Sequence, residues 1–116
     1  MQDFRQLEVW QRAHQLVLAV YQASASLPAS ENFGLQLNVR RSVVNMAKTI
    51  AEGAGKASDG EFLADLRRAA AAASELDYLL LVCFDLQLLD EPVYQRLAKE
   101  TIEVRKMISG LARRLN

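Results

Sequence analysis

The sequence predicts an all-α fold: an up-down-up-down antiparallel four-helix bundle in which residues 1–116 form a single domain. Three observations carry this. Only Pro28, Pro92 and five glycines punctuate 116 residues, so long segments run without a breaker. In four of those segments apolar residues recur at alternating steps of three and four, the signature of a helix buried along one side. The breaks between them are only a few residues long, which makes consecutive helices antiparallel neighbours.

In the first segment Leu7, Trp10, His14, Val17, Tyr21 and Ser24 form the stripe expected to face the core, widened by Ala13, Leu16 and Val20. Pro28 ends it. The second carries Leu35, Val39, Val43, Met46, Ala47 and Ile50 on one face and stops at Gly53-Ala54-Gly55. There Gly53 is expected in the left-handed conformation that closes a helix. The third opens on a capping box, Ser58 followed by Glu61, with Asp59 also suited to the positive end of the helix dipole. Phe62, Leu66, Ala69, Ala73, Leu76, Leu80 and Cys83 then keep a continuous stripe. The fourth starts at Asp90 as N-cap, with Pro92 tolerated in the first turn. Its seam is Val93, Leu97, Thr101, Val104, Ile108, Leu111 and Leu115, and Arg113 and Arg114 suit its last turn. Helices of roughly 20–30 residues would each be about 30–45 Å long.

Composition narrows the function classes. Apolar residues make up 51% of the chain, a globular rather than a disordered proportion. The longest unbroken apolar run, Tyr78 to Phe84, is seven residues against the roughly 20 that a membrane span requires, so no membrane partner is expected. A lone Cys83 and an amino terminus without an apolar signal core point to a reducing cytoplasm. Formal charge is zero, from 14 basic and 14 acidic residues, whereas dedicated nucleic-acid binders usually carry a basic excess. The distribution is uneven. Residues 28–56 have four bases against two acids, residues 57–89 two against six, and residues 90–116 six against four. Alternating signs on neighbouring helices are the ordinary pattern of a bundle whose faces attract each other.

No residue set reads as catalytic. The single histidine, His14, falls on the apolar stripe of the first helix, where a packed role is expected. Cys83 has no basic neighbour in sequence to activate its thiol. Glu-x-x-His and Cys-x-x-Cys pairs are missing, so neither a metal nor a cofactor is expected. Three other features stand out. Gly53, Gly55, Lys56 and Ser58, with the free N–H groups of a helix start, could bind an anion or phosphate; the alternative is a helix end followed by a helix start, with Lys56 serving the dipole. The doublets Arg40-Arg41 and Arg67-Arg68 could line an RNA-contacting surface, or pair across helices with Glu75, Asp77 or Glu103. Finally, Tyr78-Leu79-Leu80-Leu81-Val82-Cys83-Phe84 is apolar around the whole helix circumference. A second copy of the chain would cover its outer side, which makes Tyr78, Leu81, Val82 and Phe84 the expected oligomer interface.

Several segments together resemble one bacterial family. They are Phe4-x-x-Leu7-x-Val9-Trp10-Gln11-x-Ala13, Pro28-x-x-Glu31-x-Phe33-Gly34-Leu35, Arg41-Ser42 and Glu75-Leu76. The most specific is Ile50-Ala51-Glu52-Gly53-x-Gly55-Lys56-x-Ser58-x-x-Glu61-Phe62. The chain is similar over essentially its whole length to the four-helix-bundle proteins encoded in intervening sequences of 23S ribosomal RNA genes. That resemblance implies a ring-like homopentamer, no enzyme activity and no established molecular function. The family is in turn similar to accessory proteins of diversity-generating retroelements, which are strongly basic and bind nucleic acid and a reverse transcriptase. Thr49 stands where the family usually has asparagine, Asn38 where it has glutamine, and Ala71-Ala72 where Gly-Ser is typical. The expectation is a non-catalytic oligomeric scaffold linked to ribosomal RNA or to a nucleic-acid-processing protein. The alternative is a direct RNA-binding module that repeats its basic doublets around a ring.

Overall fold

The computed structural model describes all 116 residues, Met1 to Asn116, as four helices and no strand. These are α1 (Glu8–Ser24), α2 (Leu35–Ala54), α3 (Asp59–Asp85) and α4 (Glu91–Leu115), with 3-10 turns at Phe4–Gln6 and Ala29–Glu31. Helix α1 packs against α2 and α4, and α3 packs against the same two. The bundle is therefore a square with α1 and α3 on opposite corners. Its 43 Å long axis matches the length of the 27-residue α3 at 1.5 Å per residue.

Helix ends follow local chemistry. The Ser58 hydroxyl accepts from the Glu61 N–H at 3.2 Å and donates to the Glu61 carboxylate at 3.1 Å. Asp90 accepts from the Val93 N–H at 3.1 Å. At the start of α2 the cap comes from Glu31, whose Oε1 accepts from the Leu35 N–H at 3.1 Å. Helix α3 closes on Gln87 at φ 61°, the single positive-φ residue of the chain. The Leu88 N–H bonds back to the Cys83 carbonyl and the Gln87 N–H to the Phe84 carbonyl, which is a Schellman closure built without glycine.

The predicted stripes of α2, α3 and α4 form one core with Met46, Ile50, Leu66, Leu76, Leu80, Leu97 and Ile108 at its centre. The Ser42 hydroxyl donates across it to the Ala72 carbonyl at 3.0 Å. A void beside Val39, Leu80 and Cys83 is about 10 Å³, too small to hold a ligand.

Helix α1 differs from its expected orientation. It buries Val9, Ala13, Leu16, Val20 and Ser24, so the predicted stripe is rotated toward the residues expected only to widen it. Trp10 and Val17 are only partly buried, and His14 and Tyr21 are exposed. The helix has two apolar faces. The one with small side chains, centred on Ala13, lets it pack closely against its neighbours.

Both termini lie at one end of the bundle. The Gln2 N–H bonds to the carbonyl of Ala54, the last residue of α2, at 2.7 Å. The start of α1 and the end of α4 line a common surface cleft. The α1–α2 and α3–α4 connections occupy the opposite end.

Candidate functional site

His14, expected to be packed in the core, is exposed. Its ring stacks on Trp10 at 4.8 Å and 9°, and Phe4 meets the same Trp10 edge-on. Trp10 thus packs half-buried against the edge of the core, with His14 on its outer side. Cys83 is buried; desolvation raises its thiol pKa, and the charge of Glu31 adds to that. Such a thiol is held protonated and is a poor nucleophile. No group of three or more His, Cys, Asp and Glu side chains converges on a common point. No helix is long and apolar enough to cross a membrane.

The α2–α3 junction gathers the most specific sequence segment around a residue that the sequence did not single out. Asp65 is 2% exposed. Its carboxylate accepts from Lys56 Nζ at 2.9 Å and also from the Arg68 guanidinium. Gly53 makes room for it. This glycine is helical, not left-handed, since no glycine of the chain has positive φ. A Cβ there would lie 2.8 Å from Asp65 Cβ and 2.8 Å from Phe62 Cδ1. Gly53 is thus a contact point between α2 and α3, and α2 runs on to Ala54 with Gly55 as its cap. Of the four residues weighed as an anion site, Lys56 is engaged by Asp65 and Ser58 by the cap of α3. Gly53 faces Phe62 and Asp65 across the packed interface, and Gly55 and Ser58 are exposed. Two neighbouring cations offset the cost of burying the Asp65 charge, which makes the junction a structural clasp.

The basic doublets separate. Arg68 belongs to the clasp, while Arg67 is exposed on α3. Arg40 reaches back to α1, donating to Ser24 Oγ at 2.9 Å and to the Tyr21 carbonyl at 3.1 Å, with its guanidinium 4.6 Å from the Tyr21 ring centroid. Arg41 is exposed. Neither doublet forms an ion pair with Glu75, Asp77 or Glu103. Arg40, Arg41 and Lys48 instead edge an open groove of about 740 Å³ on the α1–α2 side, with Tyr21, Leu37 and Val44 as its apolar surface. No acidic residue lines it. This aromatic beside the arginines escaped the sequence reading because Tyr21 comes from another helix.

The apolar run of α3 divides. Leu80 and Cys83 are core, Leu79 and Val82 are partly buried, and Phe84 stacks on Tyr94 of α4 at 4.4 Å and 10°. Tyr78 (64% exposed) and Leu81 (40%) project outward, and Leu86 beyond the helix end is also exposed. Glu75 and Asp85 flank them.

Comparison with known proteins agrees with this architecture. Among curated proteins no relative matches. One solved structure that the chain resembles is a protein of unknown function from the S23 ribosomal protein family of Bacteroides thetaiotaomicron VPI-5482. It is 17% identical, with a TM-score of 0.84, covering 90% of this chain and 97% of that one. At that identity the likeness establishes the fold. The family model for the 23S rRNA-intervening sequence protein matches residues 5–110. On that match, and with helices in place of every predicted segment, the chain belongs to the 23S rRNA-intervening sequence protein family.

Proposed function

We propose that the protein is a non-catalytic homo-oligomeric scaffold of the bacterial cytoplasm, a ring of five copies by family resemblance, acting beside ribosomal RNA or a nucleic-acid-processing partner. The observation that carries this is the outer face of α3, where Tyr78 and Leu81 stand uncovered on a helix that would carry polar residues in a monomer. The single buried, high-pKa thiol and the stacked surface histidine give catalysis no support. Light scattering of the purified protein at micromolar concentration tests the reading. An assembly of several subunits is expected, and Leu81→Glu should reduce it to monomers with helicity retained. A monomeric unmutated protein refutes it.

The α1–α2 groove favours a second reading, direct binding of single-stranded RNA. It combines three cations with an aromatic ring, the pairing that holds phosphates and stacks bases. Affinity should then fall with salt at a log–log slope of about −0.7 per phosphate neutralised. Arg41→Glu, which touches no internal partner, should remove most of it. Binding insensitive to both salt and Arg41→Glu refutes this reading.

A further inference from the structure

Two of the uncovered apolar surfaces differ in the sign of the charges beside them. The α3 surface has Tyr78 and Leu81 flanked by Glu75 and Asp85. The α1–α2 surface has Leu37 and Val44 flanked by Arg41 and Lys48, and no acid lines it. Pairing either surface with its own copy would bring like charges together, which opposes association. Pairing one with the other buries both apolar surfaces and matches the charges.

Position along the bundle sets how such a pair would sit. The start of α2 and the end of α3 lie at the same end of the molecule, but α3 reaches further. The Ser42 hydroxyl bonds to the Ala72 carbonyl, which puts Arg41 close to the level of Ala72, and Tyr78 is six residues, about 9 Å, nearer that end. Two copies that bring the surfaces together therefore stand tilted against each other rather than upright side by side.

We propose that the α3 surface of one copy docks on the α1–α2 groove of the next, head to tail. This rests on the scaffold reading and adds to it which two surfaces meet. A head-to-tail interface leaves one surface unused at each end of a short chain of subunits, so it grows until it closes as a ring. It also places Arg41 inside the assembly, where it is shielded from RNA.

Two variants, each disabling one surface, form the test. Leu81→Asp removes the α3 surface and Val44→Asp the groove; both residues are over a third exposed, so both variants should fold, as far-UV circular dichroism checks. Each alone should be monomeric, with a dissociation constant raised at least about 100-fold by the buried unpaired carboxylate. Mixed in equal amounts they should form a one-to-one dimer and nothing larger, because one intact groove meets one intact α3 surface. An unmutated protein that is monomeric overturns both the scaffold reading and this one. An oligomer that survives Val44→Asp overturns this inference alone, and loss of single-stranded RNA binding in that variant would assign the groove to RNA. Self-association of Val44→Asp through α3 surfaces, with Leu81→Asp left out, would also overturn it.

Discussion

Replacing Gly53 with alanine separates two accounts of the helix junction. As a left-handed cap, Gly53→Ala would cost about 1 kcal/mol through backbone strain alone. The structure gives a different origin and a larger effect. Its φ is helical, so the backbone would gain roughly 1 kcal/mol from the better helix former. Against that, the new methyl would sit 2.8 Å from Asp65 Cβ and 2.8 Å from Phe62 Cδ1, nearly 1 Å inside normal carbon–carbon contact. Asp65 Cβ is fixed to the α3 backbone, so the helices must part and loosen both Phe62 and the Lys56–Asp65 bond. Overpacking at two contacts at the upper end of the usual range costs about 3 kcal/mol, leaving a net loss of about 2 kcal/mol. For a chain of 116 residues that lowers the melting temperature by about 8 °C. Thermal unfolding followed at 222 nm, at matched protein concentration so that the midpoints compare directly, reads it. Gly55→Ala is the control: its Cβ would meet only the Glu52 carbonyl at 3.5 Å, an ordinary contact, and stability should hold or rise. Equal midpoints for the two variants would refute the close-approach argument.

Asp65→Asn should destabilise by about 2 kcal/mol in urea unfolding, since a neutral amide loses two charge-assisted hydrogen bonds in a buried place; a loss below 0.5 kcal/mol, the scale of an exposed pair, would show that the clasp is not a stabilising feature. Gln87→Gly should stabilise by up to about 1 kcal/mol, because φ 61° costs glutamine what glycine avoids; no gain in melting temperature would contradict the assigned closure. Cys83 should resist a thiol reagent in the native protein at neutral pH and react fully in denaturant, as burial and a raised pKa dictate; fast native labelling would contradict its burial.

Legibility from sequence varied with how local the signal was. Ser58 with Glu61 and Asp90 before Pro92 act within one turn, and both caps stand where the pattern placed them. The stripes of α2 to α4 were legible because each of these helices keeps one row of apolar residues unbroken along most of its length. Helix α1 has two such rows, and periodicity centres the stripe on the bulkier residues Trp10, His14, Val17 and Tyr21, whereas packing centres it on Ala13, Leu16 and Val20, which periodicity sets at its edge, and adds Val9. Asp65 escaped because an aspartate inside a helix reads as a solvent-facing charge. Its partners, Lys56 across the turn and Arg68 three residues on, become meaningful only once Gly53 lets the helices touch. Arg40 and Tyr21, 19 residues apart, likewise meet only in the folded chain.

The shared end occupied by both termini has a practical side. A reporter or affinity handle fused to either terminus emerges beside the α2–α3 turn, away from the levels at which Arg41 and Tyr78 stand. In a ring of the kind proposed, fluorophores placed there on neighbouring copies would all crowd one rim. Energy transfer between them would then report the number and orientation of subunits without disturbing the contacts that join them.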